Sequence, residues 1–143
     1  MSIEKLFETD KWDRDDYFNE KSNDWTRDDL LTILEKANIE EDSLVIGSIA
    51  GHPESTVDDL KLLALSGKYG VGVIYNVLLN NNRTEEIIRE LYNKNSDDKV
   101  FEYEKKKNIE EWGQEAWDKY KETYITKING YCLAHKNCPE DLK

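Results

Sequence analysis

The sequence predicts an all-α protein built from helical repeats. Only 2 of its 143 residues are proline and 36% are charged, a composition that favours helices over a β-sandwich. One pattern recurs along the chain: His or Asn, a short polar turn, Thr or Cys, an acid two residues later and an aliphatic residue four residues later. Further aliphatic residues follow at the spacing that forms one apolar helix face. At this length the chain is expected to form one domain with its own core.

Each copy of the pattern is interpreted as the start of a helix. The starts are expected at Thr56, Thr84 and Cys138, with a fainter copy at Thr26. A Thr in front of a helix can accept a hydrogen bond from a free backbone amide, and acids in the first turn suit the positive end of the helix dipole. The three clear copies are GHPESTVDDLKLLA at 51–64, LNNNRTEEIIRELY at 79–92 and AHKNCPEDLK at 134–143.

One more helix start is expected between the last two, because they are separated by about two repeat lengths. Asn108 is the candidate cap, followed by acids in the first turn. Trp112, Ala116 and Tyr120 then recur at four-residue intervals, which predicts that they share a buried face. Trp117 is expected to lie partly on another face.

The repeated segments resemble a known family. IAGHPESTVDDLKLLA and CLAHKNCPEDL are similar to leucine-rich-repeat-variant units and, more broadly, to HEAT-type helical repeats, over about residues 26–92 and 124–143. The resemblance implies a short α-solenoid of stacked helix pairs. Two departures matter. Members can carry a cysteine-rich iron–sulfur module before the repeats, whereas this chain has no cysteine before Cys132. Some HEAT-like proteins are DNA glycosylases with a basic concave face, which an acidic chain does not match.

The chain is therefore expected to be a single domain, 1–143, with four parts. Residues 1–25 form an irregular acidic cap rich in aromatic residues, and residues 26–92 form repeats. Residues 93–107 fit no copy and are interpreted as an irregular insertion, or as a short extra helix from Val100. Residues 108–143 form the C-terminal repeats.

The charge distribution favours a basic protein partner. The formal net charge is −11, and residues 1–42 carry 14 acidic and 6 basic side chains, which places most of that charge at the N-terminal end. Nucleic acid needs Lys and Arg on the protein side, so direct binding of nucleic acid is disfavoured. An acidic surface can also serve solubility alone.

The segment KWDRDDYFNEKSNDW at 11–25 interleaves aromatic and acidic residues. Its aromatic residues can cap the first repeat, or they can form a surface that docks a basic partner with the acids around them. Both can hold together. The candidate partner-binding residues are Trp12, Asp13, Asp15, Asp16, Tyr17, Glu20, Asp24, Asp28 and Asp29.

Candidates for chemistry are few. Cys132, His135 and Cys138 could suggest a metal site, but a closed zinc site takes four ligands. In the repeat register Cys132 falls on a core position, His135 on a helix end and Cys138 on a helix start, so we predict structural roles. His52 is interpreted as a helix-end residue. No phosphate-binding loop or nucleophile motif occurs, and we predict neither catalytic residues nor a cofactor.

These features predict a small, acidic protein-binding module. No apolar run approaches membrane-spanning length and the chain does not open on a secretory signal, so we expect a cytoplasmic, reducing setting. The favoured function is a stoichiometric inhibitor or immunity-type protein that occupies the basic cleft of a nucleic-acid-handling partner. An assembly or scaffold protein is the alternative, since the last repeat stops one turn into its helix. An enzyme or metal protein that uses His52 or the Cys132, His135 and Cys138 triplet is the third class.

Overall fold

The protein is all-α in the part that the computed structural model describes, residues 3–80, 84–94 and 99–143. No β-strand occurs in those ranges, which confirms the prediction of an all-α protein. No helix found there is both long and apolar enough to cross a membrane. Short 3₁₀ turns lie at Ser22–Asp24 and Glu140–Leu142. The α-helices are α1 (Ile3–Glu8), α2 (Arg14–Glu20), α3 (Arg27–Lys36), α4 (Ser43–Ala50), α5 (Val57–Leu65), α6 (Val71–Asn80), α7 (Glu85–Lys94), α8 (Glu102–Trp112) and α9 (Gln114–Ala134).

The helices share one core. α2 packs on α4, α4 on α6, and α6 on α9. α1 contacts both α2 and α3, α5 contacts both α6 and α7, and α7 contacts α9. α8 packs on α9 at the C-terminal end. The largest buried side chains of this core are Trp117, Phe18, Phe101, Leu6, Leu30, Ile33, Ile46, Ile49, Leu60, Leu63, Ile74 and Leu78.

The predicted helix starts at Thr26, Thr56 and Thr84 are confirmed. Thr26 caps α3 with a reciprocal pair: its hydroxyl accepts from the Asp29 amide at 3.2 Å, and the Asp29 carboxylate accepts from the Thr26 amide at 2.9 Å. Thr56 and Asp59 repeat this capping box at α5, with distances of 3.2 and 3.0 Å. α7 begins directly after Thr84. These local hydrogen bonds satisfy amides that the first helical turn leaves free.

Two predicted starts are wrong. Asn108 lies inside α8, where its side-chain amide donates to the Glu104 carbonyl oxygen at 2.7 Å. Glu102 and Glu104 supply the acidic first turn of that helix, which begins two residues after Val100 and runs through Asn108 to Trp112 as one helix. At the C-terminal end, Pro139 rather than Cys138 precedes a three-residue 3₁₀ turn, and no side chain caps this turn. Of the other residues in the predicted insertion, 93–94 end α7, 99–101 form a turn before α8, and 95–98 lie outside the described residues.

The predicted buried face of Trp112, Ala116 and Tyr120 is also wrong. Trp112 is 63% exposed and Tyr120 is 42% exposed, whereas Trp117 is only 1% exposed. Gly113, with φ of 90°, ends α8 after Trp112, so the two aromatic residues belong to different helices. This left-handed conformation suits glycine. The buried stripe of α9 contains Trp117, Ile128 and Cys132.

Ion pairs connect α3 to α5, α5 to α7, and α7 to the C-terminal 3₁₀ turn. Arg27 at the start of α3 binds Asp59 at the start of α5 through two hydrogen bonds of 3.0 Å. Lys61 of α5 pairs with Glu86 of α7 at 2.6 Å. Arg89 of α7 then binds Asp141 through two hydrogen bonds, at 2.7 and 3.0 Å. α3, α5 and α7 thus each supply a cation to a carboxylate that lies later in the chain.

The Arg27–Asp59 pair should make stability depend on pH. The hydrogen bond from Arg27 holds the pKa of the Asp59 carboxyl below its ordinary value of 3.8. A carboxyl with a lowered native pKa stabilises the fold above its unfolded pKa, and this stabilisation is lost as the pH falls through the native value. We expect Arg27→Met to lower stability at pH 7 and to weaken the loss of stability on acidification below about pH 4.

Chemical denaturation of both proteins at several pH values measures this effect. Lys36→Met is the control, because it removes the same charge from an exposed position at the other end of α3. The same pH dependence in the Arg27 variant and in the parent protein would contradict the assigned role of this pair.

Candidate protein-binding site

The predicted binding residues lie between the turn before α2 and the first turn of α3. Trp12 and Asp13 precede α2, Asp24 lies in the first 3₁₀ turn, and Asp28 and Asp29 lie in the first turn of α3. The others lie on α2: Asp15, Asp16, Tyr17 and Glu20. They therefore include some side chains with structural roles and others that face the solvent.

Most aromatic residues of the segment cap the fold. Phe18 and Trp25 are buried and stacked, with ring centroids 5.5 Å apart. The Trp25 indole N–H donates to the Phe18 carbonyl oxygen at 3.0 Å. The rings of Phe18 and His52 make an edge-to-face contact. Tyr17 is half-buried against the core. Packing therefore accounts for Phe18 and Trp25.

Trp12 is the exception, with 80% of its surface exposed. It sits in a turn in which its backbone amide donates to the Asp10 carboxylate at 3.0 Å and the Asp13 amide donates to the Asp10 carbonyl oxygen at 2.8 Å. The turn therefore holds the indole outward instead of letting it join the core. Exposed tryptophans surrounded by polar residues are characteristic of interface hot spots.

A cleft of about 250 Å³ separates Trp12 from the start of α4. Its far wall carries the exposed Leu44 together with the carboxylates of Glu40 and Glu41. Sequence reasoning missed this wall, because EEDSLV at 40–45 matches the acid-rich start of any helix and gives no sign that it faces Trp12. The full lining is Lys11, Trp12, Asp15, Glu40, Glu41, Asp42, Ser43, Leu44 and Val45.

A buried ion pair holds the two walls together. The Arg14 guanidinium donates to the Asp42 carboxylate at 2.9 Å, to the Thr9 carbonyl oxygen at 2.9 Å and to the Phe7 carbonyl oxygen at 3.0 Å. The Asp42 side chain is 2% exposed, and its other oxygen accepts from the Asn38 amide at 2.9 Å. Arg14 thereby joins the end of α1, the start of α2 and the segment before α4.

Two of the predicted acids are engaged within the protein. Asp15 accepts from the Ser48 hydroxyl at 2.6 Å and from the Asn19 amide at 3.2 Å, which joins α2 to α4. Asp29 forms the capping box of α3. These carboxylates position helices rather than remaining open to a partner.

Asp13, just before α2, and two further acids on α2 form an exposed strip. Asp13, Asp16 and Glu20 are spaced by three and four residues, so they lie on one side of the helix. None of the three makes a salt bridge within the described part of the chain. We call these three residues the α2 acidic face. Asp24 and Asp28 are exposed as well.

One cation already lies at the cleft. The Lys11 ammonium is 5.2 Å from the centroid of the Trp12 ring and 4.0 Å from a Glu41 carboxylate oxygen. Glu40 lies 3.7 Å from the Lys107 ammonium, on α8. Ring and carboxylates thus make a local environment that favours positive charge.

Both histidines form the same helix-end corner. The Nδ1 of His52 accepts from the Glu54 amide at 3.0 Å, and its Nε2 is 2.6 Å from the Ser22 carbonyl oxygen. In His135 the Nδ1 accepts from the Asn137 amide at 2.9 Å, and the Nε2 is 3.1 Å from the Thr84 hydroxyl. Both rings therefore occupy the predicted helix-end positions, with each nitrogen engaged.

The two cysteines are buried and free. Burial, with a smaller effect of Cys138, raises the pKa of the Cys132 thiol to about 12, so this thiol stays protonated at neutral pH. Cys132 occupies the core position expected from the repeat register. No cluster of three or more potential metal ligands was found in residues 3–80, 84–94 and 99–143.

Comparisons of the chain with family models, curated proteins and solved structures found no match. A function can therefore be inferred only from the contacts and charges of the chain itself.

Proposed function

We propose that this protein is an acidic protein-binding module that acts as a stoichiometric inhibitor, or immunity-type protein, of a basic nucleic-acid-handling partner. The observation that carries the proposal is Trp12, which is exposed at a cleft that also carries the carboxylates of Glu40 and Glu41, and which precedes the α2 acidic face in sequence. The finer architecture belongs to the same proposal: the helix pairs form a short α-solenoid, and the protein works in the cytoplasm.

The physics of the surface suits this role. An exposed indole supplies apolar area and a π face at little cost in conformational entropy. Carboxylates around it steer a cationic partner during encounter and suppress wrong partners. Because the basic cleft of a nucleic-acid-handling protein is built to receive phosphates, a strip of carboxylates can occupy the same place.

The alternative function, assembly or scaffolding, has a different surface in its favour. Trp112 and Tyr120 are exposed and adjacent, with ring centroids 6.0 Å apart. This aromatic pair lies on α8 and α9, about a hundred residues after Trp12 in the sequence. If a partner binds there, substitutions at Trp112 will remove it and substitutions at Trp12 will not.

Charge reversal of the α2 acidic face tests the proposed function. We expect Asp13, Asp16 and Glu20, changed together to lysine, to weaken the complex by about tenfold or more, because attraction becomes repulsion. The measurement is affinity capture from lysate of the source cells at low salt, elution by a salt step, and mass spectrometry of the recovered proteins. A basic nuclease or other nucleic-acid-binding protein should be recovered by the parent protein and lost from the variant.

The matched control reverses Glu110, Glu111 and Glu122 together. These exposed acids lie on α8 and α9, so the control changes the net charge equally at a different place. Equal loss of the partner from both variants would show that net charge alone, not this surface, controls binding. A partner that survives high salt and both reversals would reject docking by the acidic face.

A further inference from the structure

We propose that the cleft between Trp12 and Leu44 receives an arginine side chain of the partner. This inference rests on the proposed function and specifies its contact: the α2 acidic face steers the encounter, and one arginine anchors the complex. Hot-spot residues commonly fill such small pockets at the centre of an interface, and arginine is among the residues enriched there.

The size and walls of the cleft fit a single side chain. At about 250 Å³ it is smaller than the roughly 300–1,000 Å³ of small-molecule pockets. Trp12 and Leu44 provide apolar walls for the methylene stem of an inserted arginine, and both are well exposed. The carboxylates of Glu40 and Glu41 lie at the same cleft, where the cationic end would bind.

Lys11 shows that the cleft accommodates a cation. Its ammonium already lies near both the Trp12 ring and Glu41. The distance of 4.0 Å to Glu41 is at the outer limit of an ion pair, and the side chains of Lys11 and Glu41 are 43% and 52% exposed. Such an exposed pair contributes little stability. An incoming cation can therefore displace Lys11 at small cost.

Arginine fits the remaining chemistry better than lysine does. A guanidinium is planar, so it can stack on the Trp12 indole and bind a carboxylate through two hydrogen bonds at once. It is also more weakly hydrated than an ammonium group, which lowers the cost of entering the cleft. Asp42 is excluded as the receiving carboxylate because Arg14 and Asn38 already satisfy it. Asp15 already accepts from Ser48, and Glu40 lies 3.7 Å from the Lys107 ammonium, so the geometry points to Glu41 as the receiving carboxylate.

Titration with short cationic peptides tests the assignment. Octa-arginine and octa-lysine carry equal side-chain charge, so their difference reports recognition of the guanidinium. Binding is followed by fluorescence in a Trp112→Phe background, where Trp12 is the one well-exposed tryptophan. We expect octa-arginine to bind about fivefold more tightly than octa-lysine, with Trp12 emission quenched. Glu41→Gln should abolish this preference in the same assay, and Trp12→Ala, which lacks the fluorescent reporter, should abolish it when binding is followed by calorimetry.

Removal of Lys11 gives a more specific test. Lys11→Met should tighten octa-arginine binding by about two- to fivefold, because the internal cation no longer competes. Lys36→Met removes the same charge from α3 and should give a smaller gain. Equal gains from the two variants would show a general charge effect and overturn the assignment.

The remaining outcomes separate this inference from the proposed function. Equal binding of both peptides, lost on reversal of the α2 acidic face, would overturn the arginine site and leave a charge-based inhibitor standing. Binding of neither peptide would overturn the arginine site, and the capture experiment would decide the proposed function independently. Dimerisation in sedimentation experiments that is lost in Trp12→Ala would identify a second copy of this chain as the occupant and also overturn the assignment.

Discussion

Arg14→Met is expected to lower the free energy of unfolding by about 3–5 kcal/mol, the usual cost of removing one partner from a buried ion pair. The substitution leaves the Asp42 carboxylate with 2% of its surface exposed and without its cation. It also removes the donors that the carbonyl oxygens of Phe7 and Thr9 now have. Urea denaturation monitored by far-UV circular dichroism measures the loss.

A double variant distinguishes the ion pair from general damage at this position. Arg14→Met combined with Asp42→Leu removes both charges, so much of the lost stability should return, since apolar replacement of a buried pair is often nearly neutral. Lys36→Met provides the surface baseline. A loss below about 1 kcal/mol in the single variant would place Arg14 among ordinary surface cations.

Trp117→Ala is expected to cost about 3–5 kcal/mol, because it removes the largest fully buried side chain in the described core. Its ring packs edge-on against Phe101 at 6.2 Å and near Tyr124 at 6.2 Å, which joins α9 to the segment before α8. Thermal and urea unfolding measure the change, and near-UV circular dichroism reports the loss of aromatic packing.

Trp112→Ala is the matched control, since it removes the same side chain from the neighbouring helix. Trp112 is 63% exposed, so its replacement should change stability by no more than about 0.5 kcal/mol. Equal losses at both positions would contradict the buried face assigned to α9. A larger loss at Trp112 would restore the face expected from the sequence.

Local chemistry explains which helices could be predicted. Thr26 with Asp29 and Thr56 with Asp59 form capping boxes within four residues, so their spacing alone carries the information. The helix-end positions of His52 and His135 were predictable for the same reason, as each ring bonds to an amide two residues later. Signals of this kind do not depend on the tertiary fold.

The break at Gly113 was harder to predict. A glycine within a helical pattern is often tolerated, so the sequence did not show that one helix ends and another begins there. Because helical phase continues only within one helix, the break places Trp112 and Tyr120 on different helices, where their rings meet at the surface, while Trp117 turns inward. The regular spacing of Trp112, Ala116 and Tyr120 was therefore misleading.

The sequence predicted one wall of the candidate site but not the other. The alternation of aromatic and acidic residues in 11–25 pointed to Trp12 and to the α2 acidic face. The opposite wall depends on Arg14 binding Asp42, 28 positions away in sequence, which no local pattern encodes. Asp15 and Asp29 matched the acidic pattern equally well, yet their contacts give them structural roles.

Titration of the recovered partner with this protein, in the presence of labelled nucleic acid, tests the central claim most directly. The proposed function predicts that nucleic-acid binding is lost at one equivalent of the parent protein, and that the variant with lysine at 13, 16 and 20 fails to displace it. The protein reversed at 110, 111 and 122 should still displace it. A ternary complex in which nucleic acid stays bound at saturation would contradict the inhibitor and favour a scaffold.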